Sequence, residues 1–134
     1  MQKTVNFLFA LVKTNAILAR QLSTNGLDFS DFMILDYLNE APEQKLRRID
    51  LASKLGLTAS GITRMLLPLE KLGIVQRDFD EIDARARYAS LTKAGKNLLN
   101  EARASIEMKL EDIMPENKIT ELEKFTKLLE QISN

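Results

Sequence analysis

Two groups of side chains in this sequence have the types and spacing to hold a polyanion. The first is Ser60, Thr63, Arg64, Leu67 and Lys71. Each residue of a helix turns by about 100°, which puts these five on one side and Ile62, Met65, Leu66 and Leu69 on the other. The polar side carries two hydroxyls, an arginine, a lysine and an outward leucine, with no acid among them. Hydroxyls bond phosphates or base edges, arginine pairs bidentately with guanine, and a leucine can touch a thymine methyl or a sugar. The free N–H groups at the helix start, near Thr58 and Ser60, add a preference for an anion. An ordinary exposed face would carry Glu and Lys pairs instead.

The second group lies in DEIDARARYASLTKAG, residues 80–95. Side chains alternate along a strand, so Arg85 and Arg87 are expected to project to the same side. Arginines on a hairpin tip can enter a minor groove, whose narrow form concentrates negative potential. Asp83 is close enough in sequence to hold one of these arginines in place, and Asp78, Asp80 and Glu81 would oppose indiscriminate binding to DNA. The plainer alternative is a charged tip that pairs with itself.

Both groups need elements to carry them. Residues 4–23 are apolar on more than one face, through Val5, Phe7, Leu8, Phe9, Leu11, Val12, Ile17, Leu18 and Leu22. One small domain rarely covers a helix on so many sides, so a second chain is the expected partner. After TNG, Asp28 and Asp31 have capping-box spacing for a helix with Phe32, Leu35 and Leu38 inward and Pro42 at its exit. LRRIDLASKLGL predicts a short helix ended by Gly56. Thr58 caps the next, with Leu57 and Ile62 as a hydrophobic staple. Pro68 removes a hydrogen bond to the carbonyl of Arg64 and predicts a bend. IVQRDF and ARYASLT enclose a charged turn as a hairpin, and two further helices follow. The expected fold is mainly α with a small β-hairpin wing: a winged helix-turn-helix over residues 27–93, with helical segments 1–26 and 94–134 on either side.

Bulk composition narrows the chemistry. At 134 residues the chain fits one domain, and its 45% hydrophobic and 28% charged content is that of a globular protein. It has no cysteine and no histidine. That removes thiol redox chemistry, cysteine-ligated metals and the commonest general base. With no glycine-rich phosphate loop and no paired-carboxylate motif, the chain does not read as an enzyme, and no cofactor or metal is expected. The first helix is a poor signal peptide because its apolar run is short, holds Asn6, and is followed by Lys13, Asn15 and Arg20. No stretch is apolar enough to span a membrane, so a cytoplasmic protein without a membrane partner is expected. Lys and Arg balance Asp and Glu overall at 19 each. Residues 45–93 nevertheless hold ten basic against six acidic side chains, while both flanking segments are net acidic.

The pattern LA..LGL, S..TR, LEKLGIV.R, Asp-x-Arg and LT..G resembles the MarR (multiple-antibiotic-resistance regulator) family of bacterial transcription factors over nearly the whole chain. The resemblance implies a homodimer joined by the first and the last two helices, with Leu8, Leu11, Leu18, Ile119, Leu122, Phe125 and Leu129 at the contact. It implies binding of double-stranded DNA at a pseudo-palindromic operator, usually as a repressor. Ser60, Thr63 and Arg64 match major-groove readers, Asp83 and Arg85 match the wing pair, and Arg77 and Arg87 match backbone contacts or supports. Arg47 stands where a Ser or Thr cap is common, so Arg47 and Arg48 become candidate phosphate contacts. Many members release DNA on binding a small aromatic acid, for which Lys13 and Arg20 are candidate partners or plain surface residues. The competing class is a winged helix used as a protein-interaction module. Such a module would not need Arg64 and Arg85.

Overall fold

The computed structural model describes residues 1–83 and 85–134. Among them run six α-helices: α1 (Gln2–Gln21), α2 (Phe29–Glu40), α3 (Arg48–Leu55), α4 (Ala59–Lys71), α5 (Lys93–Ile113) and α6 (Ile119–Ser133). Strands β1 (Lys45–Arg47), β2 (Val75–Phe79) and β3 (Arg87–Leu91) form one antiparallel sheet in the order β1-β3-β2. None of these helices is long and apolar enough to cross a membrane.

Local chemistry sets the boundaries. Asp28 accepts from the Asp31 N–H at 2.8 Å while Asp31 accepts from the Asp28 N–H at 3.1 Å, which closes the expected capping box on α2. Thr58 Oγ1 accepts the Gly61 N–H at 3.1 Å and caps α4. Gly56 ends α3 at φ 71°, a left-handed turn that side-chain-bearing residues resist.

One local expectation fails. Leu46 and Arg47 belong to strand β1 rather than to the start of α3, because Leu46 pairs with Ala89 and packs on the core. α4 runs through Pro68 to Lys71, and the Pro68 carbonyl accepts the Leu72 N–H at 3.1 Å. Pro68 lies on the solvent side, where water can satisfy the carbonyl that loses its donor.

Ile34, Leu35 and Leu38 of α2, Leu51 of α3, and Ile62, Leu66 and Leu69 of α4 meet Val75, Ala89 and Leu99 in one core. Each such aliphatic side chain contributes about 1.5–3 kcal/mol by leaving water. Phe32, expected inward, sits half-buried at the edge and stacks on Phe29 at 5.7 Å. Ile34 takes the fully buried place instead.

α5 is fastened to this lobe by Leu99 and Ala102 in the core and by an Arg103–Asp36 ion pair. By contrast, α1 and α6 bury no residue, and Phe9 and Phe125 are 70% and 53% exposed. Phe7, Leu11, Phe125 and Leu129 line an apolar cavity of about 320 Å³ between these two helices.

Candidate nucleic-acid interface

α4 presents its two faces as the sequence divides them. Ile62, Leu66 and Leu69 are buried, while Ser60, Thr63, Arg64, Leu67 and Lys71 are exposed. The hydroxyls are partly engaged within the helix. Thr58 Oγ1 lies 3.2 Å from Ser60 Oγ, and Thr63 Oγ1 donates to the Ala59 carbonyl at 3.0 Å. Each oxygen retains acceptor capacity for an external donor.

Beside the start of α4 is an open cleft of about 350 Å³, lined by Arg47, Arg48, Ile49, Thr63, Arg85 and Arg87 among others. Four arginines from the β1–α3 junction and from the wing thus face one space with Ala59 and Thr63 of α4. Arg47 is the N-cap of α3 and makes no side-chain cap, which leaves first-turn N–H groups without that partner. Its guanidinium instead lies 6.0 Å from the Tyr88 ring centroid, with Nε donating to the Tyr88 hydroxyl at 3.4 Å. That hydrogen bond raises the Arg47 pKa above its ordinary value. Lys45 stands 5.3 Å from the same ring, and its ion pair with Glu43 raises its pKa.

The wing differs from expectation in two respects. Arg85 precedes β3 and lies in a turn, so strand alternation does not aim it, although Arg85 and Arg87 do line the same cleft. Asp83 bonds the Arg85 backbone rather than a guanidinium. Its Oδ1 accepts the Arg85 N–H at 3.0 Å, and its carbonyl accepts the Ala86 N–H at 3.0 Å. Asp78 and Asp80 likewise accept from the Phe79 and Ile82 N–H groups, each at 2.9 Å. A short carboxylate reaches neighbouring amides before it reaches a long side chain.

Arg48 is enclosed rather than open to solvent as a phosphate contact would be, and Arg77, 52% exposed, is tied as a support. Glu70, at the end of α4, bonds Arg48 through Oε1 and accepts from Arg77 Nε through Oε2 at 3.1 Å. Sequence reasoning missed Glu70. Its position seven residues before Arg77, across a turn, was the available signal.

The remaining expected site residues lie elsewhere. Leu8, Leu11, Ile119 and Phe125 are exposed on α1 and α6, while Leu18, Leu122 and Leu129 are half-buried. Lys13 and Arg20 are exposed, and neither lines the cavity of about 290 Å³ between α1 and α2. That cavity is walled by Leu18, Leu22, Phe29 and Met33, with Asp28 as its charged side chain. Among the described residues no cluster of His, Cys, Asp and Glu could hold a metal ion.

Comparison with known proteins matches residues 28–86 to the MarR family. An HTH-type transcriptional regulator of Escherichia coli, PrsX, is 33% identical over 92 residues, covering 69% of this chain and 55% of that protein. The chain therefore spans about half the length of the curated relatives it matches first. The transcriptional regulator BldR of Sulfolobus solfataricus superposes with a TM-score of 0.80 at 25% identity, covering 96% of each chain. Sco3205 of Streptomyces coelicolor, a MarR family regulator solved in complex with DNA, gives a TM-score of 0.80 at 20% identity, covering 98% of this chain and 88% of that one. At that identity the likeness shows the fold.

Proposed function

The chain belongs to the MarR family, and on that premise we propose that it is a sequence-specific, DNA-binding transcriptional regulator rather than an enzyme. It acts in the cytoplasm as a homodimer on pseudo-palindromic operators, most simply as a repressor. Residues 27–93 bind DNA, and segments 1–26 and 94–134 join the two copies. The observation that carries this reading is the arginine-lined cleft beside the acid-free face of α4. Arg64 and Thr63 would meet base edges in the major groove, with Arg85 and Arg87 on the adjacent minor groove or backbone.

A small-molecule effector would enter the cavity between α1 and α2. With Asp28 on its wall and neither Lys13 nor Arg20 lining it, that cavity does not favour a carboxylate ligand.

The test is selection from random duplexes with the purified protein near physiological salt. The expected product is an inverted repeat with half-sites about one helical turn apart. On the selected site, Arg64→Ala should cost about 1–3 kcal/mol and relax preference at one base pair. Arg85→Ala should weaken all sequences alike and flatten the salt dependence. Wild-type behaviour of both variants would refute this docking geometry, and a folded dimer that enriches no duplex would support the protein-interaction module instead.

A further inference from the structure

Six arginines belong to the winged lobe: Arg47, Arg48, Arg64, Arg77, Arg85 and Arg87. One carboxylate engages two of them. The Glu70 side chain is only 14% exposed, and its two oxygens are divided between Arg48 at the first position of α3 and Arg77 in β2. Arg48 is correspondingly enclosed, with its side chain 11% exposed, although it lines the same cleft as Arg47, Arg85 and Arg87. Arg77 opposes Ala89 in the sheet and Phe79 opposes Arg87. Side chains two apart share a face, so Arg77 and Arg87 point to the same side, one diagonal apart.

Released from Glu70, both guanidiniums would stand next to the charges that meet DNA. Among the described residues, Arg64, Arg85 and Arg87 form no ion pair. The lobe thus holds two kinds of arginine, and Glu70 decides which two are withheld.

We propose that Glu70 is a positioning residue that keeps Arg48 and Arg77 off the phosphate backbone and so sets how strongly and how salt-dependently the lobe holds any DNA. The inference rests on the DNA-binding reading above. The Arg48–Glu70 pair, mostly shielded from water, competes well with a solvated phosphate, while Arg77, with its side chain 52% exposed, is held through its Nε alone. Glu70 also removes one positive charge from the triad it shares with the two arginines. Affinity is then left to Arg47, Arg64, Arg85, Arg87 and the α4 hydroxyls, whose placement depends on the docked geometry. A regulator that must leave random genomic sequence to find its operator gains from such restraint, because non-specific binding is almost wholly a count of phosphate contacts.

The experiment measures binding of the full-length protein to a random-sequence duplex of about 30 base pairs by fluorescence anisotropy, from about 50 to about 300 mM NaCl. Four proteins are compared: wild type, Glu70→Gln, the Arg48→Gln/Arg77→Gln double variant, and the triple variant. Each released arginine should steepen the log–log salt slope by about 0.9 per protomer and raise affinity about eightfold at about 0.1 M salt. Glu70→Gln is therefore expected to bind random duplex more tightly and with a steeper slope. The double variant should keep the wild-type slope, and the triple variant should lose the gain. A Glu70→Gln protein with an equal or shallower slope overturns the proposal, since a purely structural carboxylate would weaken binding when removed. A double variant with a shallower slope than wild type also overturns it, because Arg48 or Arg77 would then already touch phosphate. If Glu70→Gln does not fold, the double variant decides alone, an unchanged slope supporting the proposal and a shallower one refuting it. Wild type that binds no duplex refutes the DNA-binding reading and this inference with it. Wild type that binds, with Glu70→Gln unchanged, refutes this inference only.

Discussion

Gly61 and Gly95 occupy equivalent places in two helices, yet replacing each with alanine is expected to give very different results. Each is the third residue of its helix, and each donates its N–H to a capping threonine, Gly61 to Thr58 at 3.1 Å and Gly95 to Thr92 at 3.0 Å. A Cβ on Gly95 would lie 2.1 Å from the Ile74 carbonyl oxygen and 2.8 Å from Leu91 Cδ1. Ordinary contact begins at 3.4 Å, so that carbonyl would have to retreat by about 1.3 Å, the difference between the two distances. It cannot do so freely, because it accepts the Thr92 N–H at 3.2 Å and belongs to a residue in the core. Forcing a methyl into such a place costs about 1–3 kcal/mol, occasionally more. The better helix propensity of alanine returns at most about 1 kcal/mol. We expect a net loss of about 2 kcal/mol for Gly95→Ala. On half-buried Gly61 the methyl meets Thr58 Oγ1 at 3.2 Å and Leu57 Cβ at 3.6 Å, with nothing else within 4 Å, so only the Thr58 hydroxyl must give by a few tenths of an ångström. That variant should fall within about 0.5 kcal/mol of wild type. Urea unfolding at a fixed protomer concentration reads the difference. With a denaturant slope near 2 kcal/mol/M, the Gly95→Ala midpoint should drop by about 1 M. Equal midpoints for the two variants would refute the packing argument.

Two further outcomes follow from the same geometry. Phe125→Glu places a charge beside the apolar groove between α1 and α6, and sedimentation velocity should show the dimer dissociating while circular dichroism keeps the helical signal; an undisturbed dimer would place the contact elsewhere. Burial raises the Asp31 pKa above 3.8, so the folded state favours the protonated acid. Its contribution is present below 3.8 and is lost as pH rises through the raised folded value. Asp31→Asn, whose amide oxygen can still accept the Asp28 N–H, should remove that part of the pH dependence of the urea midpoint.

The legible parts of the molecule are those decided within a turn or two of chain. Thr58, Gly56 and the Asp28–Asp31 box act over a few residues, and the sequence places all three correctly. The faces of α4 separate for the same reason, since Ile62, Leu66 and Leu69 repeat at helical spacing. β1 was hidden because three residues show no alternation, and its reason for being a strand is Ala89, far along the chain. The partners of the arginines were hidden likewise. Arg47 meets Tyr88 across 41 residues and Arg48 meets Glu70 across 22, and no local rule chooses among several carboxylates and rings at such separations. Asp83 misled for a different reason: its nearest competitor for the guanidinium was the backbone N–H of the same residue, Arg85.

The LT..G motif, which looks like family punctuation in the sequence, is a mechanical joint in the structure. Thr92 Oγ1 donates to the Gly73 carbonyl at 2.7 Å and the Thr92 N–H reaches the Ile74 carbonyl at 3.2 Å, while Gly95 lets α5 press against that same peptide. Gly73 and Ile74 are the residues on which the chain leaves α4. The helix that would read DNA is therefore fixed at its exit to the start of α5, and α5 is fixed further along by Leu99, Ala102 and the Arg103–Asp36 pair. The segment after α1 is tied to the same core through Leu27, and to α5 by a Thr24–Ser105 hydroxyl contact and a bond from Lys109 to the Ser23 carbonyl. α1 itself buries no residue, so the side of this joint most easily moved lies at α1. In a homodimer held by α1 and α6, a ligand wedged between α1 and α2 would then shift each lobe with its α5 as one body. The quantity that would then change is the distance between the two α4 helices, which the spacing of operator half-sites measures.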